Sequence, residues 1–127
     1  MAIGTRRMLV VDDQRVITFA LSSYFGEHGF AVDAACEREE ALALLTHKDY
    51  DIVIADLRLT GTTAEEGLEV IRLARERSSA VSIVLLTAYR TDGIEARAAA
   101  VGADVLLQKP KPLAELAQTV YALMEGR

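Results

Sequence analysis

The sequence predicts an α/β fold: a three-layer (βα)5 arrangement with a doubly wound parallel five-stranded sheet and helices on both faces. Two observations predict it. Five short apolar runs alternate with five longer stretches of helical periodicity. Four of the five apolar runs also lack the in/out alternation of a half-wet sheet, which is how strands covered on both faces read. At 127 residues the chain has room for one domain, 1–127, with a substantial core.

The strand candidates are Met8–Val11, Phe30–Ala34, Ile52–Ala55, Val81–Leu86 and Val105–Leu107, the second being the ambiguous one. Between the first two, Val16, Ile17, Ala20, Leu21, Tyr24 and Phe25 recur at helical spacing, and Gly29 stops the run. A second helix, Glu39 to His47, carries Ala41, Leu42, Leu44 and Leu45 on a broad apolar face. The third buries Leu68, Ile71 and Ala74 and turns Arg72, Arg75 and Arg77 outward. The fourth, near Gly93 to Val101, is rich in alanine and closes at Gly102. In the fifth, Pro112 suits the first turn, and Leu113, Leu116, Val120 and Leu123 form the buried stripe. Alternating units of this kind imply right-handed crossovers. Five of them suit a flavodoxin-like sheet of order 2-1-3-4-5, an order taken over from known doubly wound folds rather than derived from this chain.

Composition narrows the function. Hydrophobic residues make up 51% and charged residues 26%, the balance of an ordinary globule. The apolar runs fall far short of the roughly 20 residues a membrane span needs. The N-terminal segment does not continue into a signal-peptide stretch, so the expected location is cytoplasmic, without membrane association. One cysteine, Cys36, forms no internal disulfide and reads as a partly buried filler. The net charge of −5 and the lack of a basic stripe argue against direct nucleic-acid binding by this chain.

Ligands of doubly wound sheets bind beyond the carboxyl ends of the strands, where the strand order reverses. Here the first run ends in Asp12-Asp13, the third in Asp56, the fourth in Thr87 and the fifth in Lys109, after Gln108. Strands one and three are expected neighbours, so their acids converge. Three carboxylates in one pocket repel. A hard divalent cation such as Mg²⁺ relieves that repulsion through oxygen ligands, and Lys109 can neutralise the remainder. Such a set is poised for phosphoryl transfer to a carboxylate, with Thr87 able to donate to a phosphoryl oxygen. Taken singly, each residue has a plainer reading: an Asp at a strand end caps a helix, Thr87 is a loop residue, and Lys109 is a solvated charge. Capping does not account for their joint placement at four strand ends.

These residues carry a resemblance to a known family. Val10-Val11-Asp12-Asp13, Ile54-Ala55-Asp56-Leu57, Leu86-Thr87-Ala88, Gly102-Ala103-Asp104 and Gln108-Lys109-Pro110 follow one another at the spacings of response regulator receiver domains of two-component signalling. The chain resembles that family over a core of about 7–124. The resemblance implies that Asp56 is the phosphoacceptor, taking its phosphoryl group from a sensor histidine kinase, a phosphotransfer protein or a small acyl phosphate. It implies that Asp13 is a direct Mg²⁺ ligand, that Asp12 orients metal-bound water, and that Arg58 offers its backbone carbonyl to the metal. Thr87 would swing toward the phosphoryl group and Lys109 would pair with it. The Lys109–Pro110 bond would be cis. Such a domain is not a conventional enzyme, although it assists its own phosphorylation and dephosphorylation. Its phosphorylation would switch an interaction face formed by helix four, strand five and helix five, which serves an output domain, a downstream protein or a homodimer.

Three departures from the family pattern stand out. Thr60 replaces the usual proline four residues past the acceptor. The stretch Gly61-Thr62-Thr63-Ala64-Glu65-Glu66, before the aligned Gly67, makes the loop about three residues longer than the family's. Leu106 stands where a switch aromatic is usual; it is either an ordinary strand residue or a modified switch whose coupling would run through packing rather than a hydroxyl. Arg58 and Tyr89, two past Asp56 and two past Thr87, stand where the family's hydrolytic water approaches; Tyr89 is either a bulk that would lengthen the phosphoryl lifetime or surface decoration.

Three other classes compete with this reading. A Mg²⁺-dependent phosphohydrolase with an aspartyl-phosphate intermediate uses similar groups, but its usual pattern is Asp-x-Asp, and here the acids are adjacent. A phosphate-independent interaction module usually lacks one of the acids. A flavin carrier on this fold would need a Ser/Thr/Gly-rich first turn, and Asp12-Asp13-Gln14-Arg15 is not one.

Overall fold

A computed structural model of the chain describes residues 5–57, 59, 65–88 and 92–125. Strands and helices alternate throughout them: β1 Arg7–Val11, α1 Arg15–Glu27, β2 Ala31–Ala35, α2 Arg38–His47, β3 Ile52–Ala55, α3 Glu65–Arg77, β4 Ser82–Thr87, α4 Ile94–Val101, β5 Val105–Gln108 and α5 Leu113–Glu125. All strand pairs are parallel and the order is β2-β1-β3-β4-β5, as expected.

The continuous apolar runs have a direct cause. Successive side chains of a strand point to opposite faces, and in β1, β3 and β4 both faces are covered. Leu9, Val11, Val53, Ala55, Ile83 and Leu85 pack on one side with Ala41 and Leu45 of α2, Leu68, Val70, Ile71 and Ala74 of α3, and Ile94 and Ala98 of α4. Met8, Val10, Ile52, Ile54, Val84 and Leu86 pack on the other with Leu21 and Phe25 of α1 and Leu116, Ala117, Val120 and Met124 of α5. Burial of each large aliphatic side chain stabilises the fold by about 1.5–3 kcal/mol, which holds the central strands rigid beneath their carboxyl ends. The edge strands β2 and β5 are half-covered, which explains why the second apolar run read ambiguously.

Several expectations shift in detail. β2, β4 and β5 each reach one residue further than their apolar runs, so Thr87 is the last residue of β4 rather than the first beyond it. Val16 does not join the buried stripe of α1; it is 72% exposed, and Phe19 is 73% exposed. Thr18 is buried instead, its hydroxyl donating to the Arg15 carbonyl at 3.1 Å. The stripe thus runs through Thr18, Leu21 and Phe25, and a hydroxyl satisfied by its own helix can occupy an apolar face.

Arg75 is also corrected. It does not turn outward but lies across the ends of α3 and α4. Its guanidinium donates to the Gly102 carbonyl at 2.8 Å, to the Ser79 and Val81 carbonyls at 2.9 and 2.8 Å, and to Asp104 at 3.0 Å. Gly102 closes α4 in the left-handed region, with φ of 115°, and so brings its carbonyl under that fork.

Candidate functional site

The carboxyl ends of the central strands are stitched together by backbone hydrogen bonds. The Asp12 N–H donates to the Ala35 carbonyl at 3.1 Å, the Asp56 N–H to the Val11 carbonyl at 2.9 Å, and the Lys109 N–H to the Thr87 carbonyl at 2.7 Å. Each chemically interesting residue is therefore tied to the neighbouring strand at the point where its side chain leaves the sheet. The register aligns Val11 with Ala55, so the residues that follow, Asp12 and Asp56, emerge side by side.

Asp12 is 3% exposed and Asp56 8%, while Asp13 lies at the exposed rim. One carboxylate oxygen from each of the three falls within 4.8 Å of the others. Lys109 reaches across from the end of β5 and donates to both buried acids, to Asp12 through a short contact and to Asp56 at 3.2 Å. The second Asp12 oxygen accepts the Gln14 N–H at 3.0 Å, an Asx-type turn that fixes the carboxylate where the chain enters α1. Thr87 is fully buried at the end of β4. The Lys109–Pro110 peptide is cis.

The charges do not balance. Partial enclosure, reinforced by the neighbouring Asp12 carboxylate, raises the Asp13 pKa above its ordinary 3.8. Desolvation pulls Lys109 down, but hydrogen bonding to Asp12 and the charges of Asp56 and Asp12 outweigh it and hold the ammonium above its ordinary 10.5. One firmly protonated lysine thus faces three acids.

The donor set fits a hard divalent cation. All the side-chain donors are carboxylate oxygens, and opposite ligands on one Mg²⁺ or Ca²⁺ stand about 4–5 Å apart. The three Asp oxygens, all within 4.8 Å of one another, are close enough to share one such ion and carry the excess negative charge it would offset.

The structure therefore brings Asp12, Asp13, Asp56 and Lys109 together and puts Thr87 at the adjoining strand end. Arg58, Thr60, residues 61–64 and Tyr89 lie outside the described residues, so the expectations attached to the Arg58 carbonyl, the longer loop and the Tyr89 ring lie outside them too. Leu106 is half-buried against the core shared with α2, α3 and α4 and pairs with Leu85 across the strands. Sequence reasoning missed the Gln14 N–H as a partner of Asp12, although an Asp two residues before the N-cap of a helix is a readable signal for such a turn.

The response regulator receiver domain family matches residues 8–121. The chain belongs to that family. Among its relatives, the transcriptional regulatory protein QseB of Haemophilus influenzae is 35% identical over 121 residues, covering 95% of this chain and 53% of that protein. The chain spans about half the length of the curated relatives it matches. A solved response regulator from Thermotoga maritima superposes with a TM-score of 0.81 at 28% identity, covering 96% of this receiver domain and 99% of that chain. A response regulator from Burkholderia pseudomallei superposes with a TM-score of 0.80 at 28% identity, covering 88% and 64% of the respective chains; that structure contains a phosphorylated aspartic acid, a calcium ion and citrate. Among the described residues of this receiver domain, no helix is long and apolar enough to cross a membrane.

Proposed function

We propose that this receiver domain, acting as a single unit with its core at about 7–124, accepts a phosphoryl group on Asp56. The donor would be a sensor histidine kinase, a phosphotransfer protein or a small acyl phosphate. One observation carries the reading: acids from the ends of β1 and β3 converge to within 4.8 Å, and a lysine from β5 is hydrogen-bonded to two of them.

In this reading an Asp56 carboxylate oxygen forms the new O–P bond as the donor's N–P or O–P bond breaks, and the leaving group keeps that electron pair. Lys109 lies beside Asp56 and offsets the charge that accumulates on the phosphoryl oxygens. Thr87, at the end of β4, supplies a hydroxyl donor to one of them. Asp12 and Asp13, with Asp56, would hold Mg²⁺, which supplies electrophilic charge stabilisation when bound. The side chains of Asp12 and Asp56 are nearly buried, so these interactions act where water screens them little.

The signal would then bias a two-state equilibrium of the face formed by α4, β5 and α5. Leu106 packs into the core there, so the coupling would run through packing. An output domain, a downstream protein or a second copy of the chain would read that face. Beryllofluoride, a phosphoryl mimic, should shift the amide NMR signals of α4 and β5, and unchanged spectra there contradict the coupling.

The chemistry is tested by incubating the full chain with acetyl phosphate and Mg²⁺ and measuring intact mass. The wild type should gain one phosphoryl group, and Asp56→Asn or chelation of Mg²⁺ should abolish the gain. A modification that persists in Asp56→Asn would place the acceptor elsewhere.

A further inference from the structure

The backbone on either side of the acceptor is held, before it by β1 and after it by α3. On one side the Asp56 N–H donates to the Val11 carbonyl at 2.9 Å, tying it to β1. On the other, the backbone of α3 comes down on it at Gly67, whose N–H donates to the Leu57 carbonyl at 3.0 Å. A Cβ at residue 67 would lie 2.4 Å from the Asp56 carbonyl oxygen and 2.5 Å from both the Cα and the carbonyl oxygen of Leu57. All three are backbone atoms and cannot swing aside like a side chain. Gly67 lies within helix α3, so what glycine supplies here is space.

The consequence falls on the carboxylate. Carbon contacts settle near 3.5 Å, so any side chain at residue 67 forces α3 and the acceptor peptide apart by about 1 Å. The hydrogen bond to Val11 resists movement on the opposite side. The Asp56 side chain, already 3.2 Å from the Lys109 ammonium, would have to tilt within a cluster whose oxygens span less than 5 Å.

We propose that Gly67 is a positioning residue: the bare backbone of α3 sets the placement of the Asp56 carboxylate among Asp12, Asp13 and Lys109, and so sets both divalent-cation affinity and the rate of phosphoryl acceptance. The proposal rests on the reading of Asp56 as acceptor and deepens it.

The test compares the full-length wild type, Gly67→Ala and Ile71→Ala, the last being a core substitution one turn further along the same helix. Mg²⁺ affinity is read from amide NMR titration of Asp12 and Asp13 and from the rise in melting temperature with Mg²⁺. Gly67→Ala should bind Mg²⁺ at least about 10-fold more weakly, the scale on which groups supporting metal ligands act. Ile71→Ala should keep wild-type affinity despite its lower stability. At saturating Mg²⁺, Gly67→Ala should accept phosphoryl groups from acetyl phosphate about 100-fold more slowly, as a misplacement near 1 Å predicts.

Equal Mg²⁺ affinity in all three proteins, or an equal loss in both variants, overturns the proposal. A wild type that binds Mg²⁺ but takes no phosphoryl group refutes the acceptor reading separately, while the titration still decides the role of Gly67. A wild type that binds no Mg²⁺ overturns both. If a variant fails to fold, the measurements are repeated in trimethylamine N-oxide, which favours compact states. A Gly67→Ala chain still unfolded there assigns Gly67 to folding alone and overturns the proposal.

Discussion

A carboxylate at the rim of an acid cluster is a poor guest in its own fold. Asp13 has its pKa raised by partial enclosure and by Asp12, so in the absence of a cation the folded state binds its proton more tightly than the unfolded state does. The sign follows from linkage. Stability falls wherever the native state holds more protons and the pH rises, so this contribution is present at acid pH and is lost as pH climbs from 3.8 through the raised value. Asp13→Asn should therefore make the metal-free protein slightly more stable at neutral pH. The gain should stay below about 1 kcal/mol, because an exposed group is well screened. Urea titrations across a pH series should show the wild type losing stability between acid and neutral pH more than the variant, and parallel curves would refute the assignment. Lys109 is the counterpart. It joins two buried acids at once, and no local feature of the sequence around residue 109 says so.

At the scale of elements, the most informative device is the brace beneath α3 and α4. Arg75 binds carbonyls from the α3–β4 connection and from the end of α4, while Asp104 also accepts the Ile83 N–H at 2.7 Å. One guanidinium thus caps the C-terminal end of α4, ties α3 to β4 and meets the acid at the start of β5. Its planar array of fixed donors suits such carbonyls better than an ammonium would. Arg75→Met should cost on the order of 3 kcal/mol, since it strands several carbonyls in a half-buried setting. Urea unfolding measures that loss, and hydrogen exchange at the Ile83 amide should quicken as Asp104 loses its arginine. A loss within a few tenths of a kcal/mol would show that water replaces the guanidinium freely. The same element illustrates how patterning can mislead: Arg72, Arg75 and Arg77 look alike in sequence, and only the first and third face solvent. Val16 in α1 errs the other way, apolar and in phase with its neighbours yet exposed, because the helix is rotated to bury Thr18.

For the whole molecule, the acid cluster should make stability depend on divalent ions. A cation that binds only the folded state stabilises it by mass action, about 2.7 kcal/mol at 100 times its Kd. The urea midpoint of the wild type should rise with Mg²⁺ and return with chelator, while Asp13→Asn and Asp56→Asn should respond weakly; a midpoint indifferent to Mg²⁺ would contradict the donor set. Fold and site differed in how far they could be read in advance. The sequence alone determined the alternation of five strands and five helices, because run length and period are local quantities. It also placed Asp12, Asp13, Asp56, Thr87 and Lys109 at strand ends, and a parallel sheet points all those ends the same way. Only the tertiary structure decided that Lys109 is shared between Asp12 and Asp56, that Arg75 turns inward, and that α3 leaves no room for a Cβ beside the acceptor peptide. The Lys109–Asp12 and Arg75–Gly102 contacts join residues 97 and 27 positions apart, and Gly67 meets the backbone of Asp56 and Leu57 from another element. Their geometry depends on how whole layers settle against one another, and no local period or composition records that.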